Sequence, residues 1–395
     1  SCGGDAQEEP AEAPAAEEAE APAEEPAVEE VEEPAEEEVE EPAEEEVEEP
    51  AEEEVEEPAE EEVEEPAEEE AEEPAEEEVA EEPAEEAPAP ESMYNEAPML
   101  ADMVAAGEIP PVDERLPAEP LVQEVVDGIG QYGGTLRRGF TGPGDHNNYT
   151  RVVYDALVRH APDGSEVIPH IAKGWESNDD FTEWTVFLRD GMKWSDGEPF
   201  TADDILFWYD HILLNEDLNP TPPGWMLNAD GSVANVEKID ETTVKWTFGQ
   251  PNTAFLLDLA NKDGADRAIS NLAFVPAHYL MDFHPDLADE AELQAKVDES
   301  GFDTWVELFA VHAFPHVSGA RPSTAAWAPN GTSTSDQVFT ITRNPYYFAV
   351  DTEGNQLPYI DEVRFTFFAD LETLNLGAVA GEIDMQGRHI QMSSY

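Results

Sequence analysis

His312 and His316 stand four residues apart, the spacing at which one helix face can present two imidazoles to a metal ion. Pro315 lies between them and disrupts such a helix, so no metal site is expected there. Asp203 and Asp204 are adjacent carboxylates, but adjacent residues on a helix point in different directions, and the first turn of a helix favours acids. They read as helix-start residues rather than as an acid–base dyad. His278 and His284 read as ordinary surface or hydrogen-bonded histidines. No P-loop, GxSxG, HExxH or CxxC pattern occurs, and the one cysteine, Cys2, leaves no thiol nucleophile in the apolar part of the chain. No catalytic residue, metal or cofactor is therefore expected.

Groups suited to binding are easier to find. Pro143, Gly144, Asp145, His146, Asn147 and Asn148 form a polar run between a first strand and a first helix, where ligands often meet the carboxyl end of a strand. The run reads either as a ligand loop, with Asp145, His146, Asn147 and Asn148 as contacts, or as a plain polar loop. Trp327 either stacks on a ligand, sugar or apolar side chain, or simply packs.

The elements that must position these groups follow from periodicity. The glycine turn at Gly133 and Gly134 leads into a first strand, and residues 151–160 place Val152, Val153, Ala156 and Leu157 on one helical stripe. Residues 181–189 alternate Trp184, Val186 and Leu188 with polar neighbours, which is a strand. Thr201 with Asp204 three residues on has the form of a capping box, and Ile205, Trp208, Tyr209 and Ile212 then share one helix face. Residues 243–248 alternate as a strand, 256–260 and 290–297 read as helices, and 339–343 and 363–367 as strands. Residues 99–120 are proline-rich and read as an arm on the surface, giving an extended N-terminal arm over 92–130. The class is mixed α/β.

Composition separates this part from what precedes it. Residues 1–91 hold 46 of the chain's 95 acidic residues and none of its 17 basic ones, which leaves 49 acids against 17 bases in the remainder. The octad PAEEEVEE recurs from Pro34, Pro42, Pro50 and Pro58, and one valine per repeat supplies no buried face. Such a segment is expected to be a disordered, extended acidic tether. Ahead of it, Cys2 within SCGG has the form of a lipidation site, a reading set against a chance terminal cysteine. The excess of acid in the remainder argues against a nucleic acid or an anionic membrane surface as partner. No apolar stretch of about 18 residues occurs that could span a bilayer.

One long run carries a family resemblance. WTVFLRDGMKWSDGEPFTADD, from Trp184 to Asp204, resembles the signature of ABC-transporter substrate-binding proteins of family 5, the peptide, nickel and oligosaccharide type. YDAL from Tyr154, IPHIAKGWE from Ile168, FVPAHYL from Phe274 and RNPYY from Arg343 fall in that family's order. VDTEGNQLPYIDEV from Val350 and GEIDMQGRH from Gly381 resemble its larger branch, binders of oligopeptides and oligosaccharides. RPSTAAW from Arg321 matches only a subfamily version of the turn expected there.

The resemblance implies a periplasmic-binding-protein-like type II clamp of two lobes. On that reading residues 131–395 are the solute-binding domain, with the first lobe and an inserted subdomain at about 157–310 present and the second lobe largely missing. A chain with half a clamp is expected to hold its solute weakly or not at all. Arg388 and His389 fall where the family chain crosses between lobes, which makes Arg388 a candidate ligand contact. The implied role is an extracytoplasmic, Cys2-anchored, monomeric protein that passes an oligopeptide or oligosaccharide to an ABC permease. The rival readings are a cell-surface adhesin or spacer with no transported ligand, and an extracellular hydrolase, which lacks an identifiable nucleophile or carboxylate pair.

Overall fold

The computed structural model describes residues 92–145, 147–262 and 272–391. The acidic repeats, Cys2 and His146 lie outside these residues. Within them the region expected to be an extended surface arm contains two helices. Pro98, with its preset φ, opens α1 (Pro98–Ala105), which buries Leu100. Next comes α2 (Val112–Arg115), whose Arg115 is fully buried. The Arg115 guanidinium bonds Glu96, the Pro345 carbonyl and, at 2.9 Å, Gln356 Oε1. A buried cation held by partners some 240 positions away in sequence docks the segment, and no local pattern announces such a contact. The strand β1 (Leu121–Gln123) then pairs in parallel with residues 349–351.

The glycine turn leads into β2 (Thr135–Phe140), and a loop follows before α3 (Asn147–Val153). The helix expected over 151–160 is thus displaced: it begins four residues earlier and ends at Val153, and β3 (Val158–His160) follows. Tertiary pairing overrides the helical stripe here. The Ala156 and Leu157 carbonyls accept from the Ile171 and Ala172 amides at 3.4 and 2.8 Å, and β3 forms a hairpin with β4 (Val167–Pro169).

Then come β5 (Ala172–Ser177) and β6 (Glu183–Leu188), where Trp184, Val186 and Leu188 are buried as the alternation requires. The capping box is present at α4 (Ala202–Phe207), with Thr201 and Asp204 exchanging backbone-to-side-chain bonds. Beyond Phe207 the helix widens to a π-turn over Trp208–Leu213, and Ile205, Trp208, Tyr209 and Ile212 are all buried. The strands β7 (Asn235–Asp240) and β8 (Thr243–Thr247) complete an antiparallel sheet of order β5-β6-β8-β7. Helices α5 (Phe255–Leu259), α6 (Ala277–Leu280), α7 (Glu290–Ser300), α8 (Trp305–Ala313) and α9 (Pro315–Ser318) follow.

The chain then returns to the first sheet through β9 (Trp327–Pro329), β10 (Val338–Arg343), β11 (Ala349–Asp351) and β12 (Glu362–Phe367), and α10 (Leu371–Val379) comes after it. Strand order in that sheet is β2-β12-β10-β9, with β2 parallel to β12 and β10 antiparallel to both its neighbours. Everything from β3 to α9 is therefore inserted between the first strand of this sheet and the other three. Phe140, Tyr149, Phe339, Ile341, Val363 and Phe365 form its core. The larger core belongs to the inserted sheet and its helices, and Trp184, Trp194, Trp208 and Trp246 lie within it.

The register fixes two ends of the first sheet. Phe140 opposite Phe367 marks the carboxyl end of the two parallel strands. Thr135 opposite Glu362, with Trp327 opposite Arg343, marks the other.

Candidate functional site

At the carboxyl end of β2 the chain turns through Gly142, whose φ of +117° suits only glycine, and a 3-10 turn brings Asp145 under the start of α3. The Asp145 carboxylate is almost wholly buried and uses both oxygens. Oδ2 accepts from Asn148 Nδ2 at 2.8 Å and from the Thr141 amide at 3.3 Å. Oδ1 faces His389 Nε2 at 3.0 Å and Arg388 Nη1 at 3.5 Å. Asn148 Nδ2 also reaches the Gly139 carbonyl at 3.2 Å.

A C-terminal segment closes this site by running along β2, the edge strand. Asp384 pairs with the Arg137 guanidinium and accepts from the Arg137 amide at 2.8 Å, while the Asp384 amide donates back to the Arg137 carbonyl at 2.9 Å. Gln386 takes the Gly139 amide and returns a bond to its carbonyl, both at 3.1 Å. Arg151 Nη1 donates to the Gly387 carbonyl at 3.3 Å. Side chains and backbone of this segment thus cover an otherwise open strand edge. His389 holds a left-handed φ of +69°, a strained backbone for a residue with a Cβ and a conformation that collects at functional sites.

Charge at this site runs against the molecule as a whole. The chain carries only 17 basic residues, and Arg137, Arg138, Arg151 and Arg388 gather here. Burial holds the Arg138 guanidinium below its ordinary pKa, and the like charge of Arg151 adds to the effect while Asp145 opposes it. Beside Asp145, the buried donor Arg138 Nε and the buried acceptor Asn148 Oδ1 have no hydrogen-bond partner among the described residues. A donor and an acceptor left open beside a buried carboxylate can receive a hydroxyl or an amide.

The structure brings together Asp145, Asn148 and Arg388 from the sequence-derived candidates, with Asn147 half-buried at the head of α3. Trp327 is not with them. Its indole Nε1 donates to the Ile360 carbonyl at 3.0 Å, and it lines a separate cavity at the opposite end of the sheet. Arg138, Arg151 and Gln386 complete the site without having been singled out. Arg138 and Arg151 read as ordinary charges in sequence, whereas Gln386 lies inside the GEIDMQGRH run and could have been taken with Arg388.

Outside this site, His312 and His316 fall on separate helices, and the His312 ring stacks on Phe283 with centroids 3.7 Å apart. His211, His284 and Asp286 bring possible metal-ligand atoms within 4.8 Å of one another. Both His284 nitrogens are already engaged, Nε2 with the His211 carbonyl at 3.1 Å and Nδ1 with the Asp286 amide at 3.3 Å.

Residues 166–394 match the family described as bacterial extracellular solute-binding proteins, family 5 Middle. The chain belongs to this family. It is 32% identical over 304 residues to the periplasmic alpha-galactoside-binding protein of Rhizobium meliloti (strain 1021), covering 71% of this chain and 40% of that relative. Among solved structures, an oligopeptide-binding protein, OppA, aligns with a TM-score of 0.69 at 40% identity, over 75% of this chain and 45% of that one. The periplasmic binding protein MelB of Agrobacterium fabrum C58, in complex with stachyose, gives a TM-score of 0.58 at 30% identity over 74% and 43%. This chain therefore spans less than half the length of each of these family relatives. The family's periplasmic-binding-protein fold, mixed α/β, is the one seen here.

Proposed function

We propose that this chain is the solute-capturing part of an extracytoplasmic binding protein of an ABC importer, and that its solute is a short oligosaccharide or oligopeptide. Family membership carries the reading. The site supports it: the cluster around Asp145 lies beyond the carboxyl ends of two adjacent parallel strands, where open α/β sheets take their ligands. On this reading Asp145 holds Asn148 and Arg388 in place around the solute, Asn147 borders it, and Arg138 Nε and Asn148 Oδ1 supply one donor and one acceptor. Arg388 connects the site to the segment that leaves the lobe. No covalent step is involved, and closure on the solute is what an ABC permease would recognise. The relatives named above are solute-binding proteins, and none supports the adhesin alternative.

The test is calorimetric titration of the full chain with stachyose and with trialanine up to millimolar concentration, paired with thermal melts. Saturable binding of one of them with a concentration-dependent rise in melting temperature is expected. Asn148→Ala and Arg388→Gln should each weaken it by about tenfold, the loss of a buried polar contact. Half a clamp is expected to give weak binding at most, and binding indifferent to both substitutions overturns the proposal.

Among the described residues no helix is long and apolar enough to cross a membrane. The location we propose rests on acylation of Cys2, the chain's one cysteine, ahead of the acidic repeats. Metabolic labelling with an acyl-chain analogue should mark the wild type and not Cys2→Ser, and equal labelling of the two would rule the anchor out.

A further inference from the structure

A cavity of about 550 Å³ opens at the end of the first sheet opposite Asp145. Residues 152–155 at the end of α3, 325–327 at the start of β9, 357–360 ahead of β12 and the loop 123–128 after β1 line it. Beside aliphatic residues such as Val125, Val152 and Ile360, that lining holds two kinds of side chain able to recognise a ligand. Trp327, Tyr154, Tyr347 and Tyr359 contribute aromatic rings, and Glu124, Asp127, Asp155 and Asp351 contribute carboxylates against one guanidinium, Arg159. Electron-rich rings with an excess of carboxylate form a surface for a cation that also carries apolar bulk.

Asp155 separates this from a chance cluster of acids. It is 3% exposed, yet only one of its oxygens is engaged. Oδ1 meets His170 Nε2 and lies 3.8 Å from Arg159 Nη2, whereas Oδ2 has no partner among the described residues. Burial lowers the His170 pKa, so that ring offers Asp155 a hydrogen bond without charge. A buried carboxylate oxygen without a partner, on a residue that lines the cavity, demands a donor, and a charged N–H is the strongest one available. Asp351 cannot take that role, because its Oδ2 already accepts from Tyr359 Oη at 2.6 Å and Asn355 Nδ2 at 2.8 Å. A multivalent metal ion would need several open oxygens, and an anion would meet four carboxylates.

We propose that this cavity is a second binding site, for a small organic ammonium ion whose N–H groups bond Asp155 Oδ2 and whose apolar body lies against Trp327 and Tyr359. Glu124 and Asp127 sit on the exposed loop at the rim and draw the cation in. The site is independent of the one at Asp145, since the register puts them at opposite ends of β2 and β12.

Titration of the full chain with phenethylammonium and with its neutral counterpart 2-phenylethanol tests this. The amine should bind saturably, and the alcohol at least about tenfold more weakly, because it lacks the charge that Asp155 requires. Asp155→Asn should reduce amine binding by a similar factor. Since Asp155 also holds His170, the double variant Glu124→Gln, Asp127→Asn provides a measurement at two exposed positions, where amine affinity should fall several-fold with the melting temperature unchanged. The proposal is overturned if no saturable amine binding occurs, if the alcohol binds equally well, or if the rim variant binds the amine as the wild type does.

Discussion

Asp204 accepts the Thr201 and Ala277 amides at 2.9 and 3.0 Å, yet burial pushes its carboxyl up to about 6 from an ordinary 3.8. The folded chain then holds a proton that the unfolded chain has released, so stability falls as pH rises through this window. At about 1.4 kcal/mol per pH unit of difference, the loss by pH 7 is about 3 kcal/mol. Asp204→Asn cannot ionise, and urea titrations should find its stability relative to wild type improving by about that amount between pH 4 and pH 7.5. A difference that stays constant with pH would contradict the burial argument. His312 has the opposite sign. Burial lowers it to about 4 from 6.5, with Nδ1 against Tyr279 Oη at 2.6 Å, so its contribution is present above 6.5 and is lost as pH falls toward 4. His312→Gln should therefore show a shallower loss of stability over that acid range than wild type. The two slopes oppose each other, and only the single variants expose them. Sequence makes Asp204 recognisable as the N3 residue of a capping box, but not its burial, which depends on Ala277 arriving from 73 residues away.

At the level of elements, the inserted sheet and α4 are legible because local pattern and tertiary packing agree there. Alternation in β6 and β8 puts Trp184 directly opposite Trp246, and the capped helix buries the face its spacing marks out. Disagreement between the two levels explains what could not be read. The stripe over 151–160 satisfies a helix, yet the Ala156 and Leu157 carbonyls go to the start of β5, and the docked α1 and α2 depend on the remote partners of Arg115. In the same way Asp145 and Asn148 stand out by position between strand and helix, whereas Arg138 in β2 and Arg151 in α3 do not, because neither local pattern tells a site-facing arginine from a solvated one. Cost should follow these levels. Thr201→Ala removes one cap and should cost about 1 kcal/mol, while Trp246→Ala opens a void at the centre of the inserted sheet and should cost about 3–5 kcal/mol. Urea midpoints at constant m-value check both, and similar losses from the two would mean that the cap contributes more than a local bond.

For the molecule as a whole, the site around Asp145 exists only because segment 384–389 returns to β2 across 247 positions of sequence. That return closes an edge strand whose amides would otherwise face water. The Arg137 amide depends on the Asp384 carboxylate and the Gly139 amide on Gln386 Oε1, so their protection is set by side chains and not by a neighbouring strand. The Arg137 side-chain bond holds the Asp384 carboxyl down at about 2, and with the folded value below the ordinary 3.8 the clasp persists through neutral and mildly acid conditions, failing only as pH drops toward that value. Asp384→Ala should free the segment from residue 384 onward. Hydrogen exchange at Arg137 and Gly139 should then accelerate together, while amides in β6 and β8, one sheet away, keep their protection. Joint loss at Arg137 and Gly139 would mean that the segment leaves as a unit and takes Arg388 and His389 away from Asp145. Loss at Arg137 alone would mean that Gln386 holds independently, and would break the link drawn here between the clasp at Asp384 and the geometry of the site.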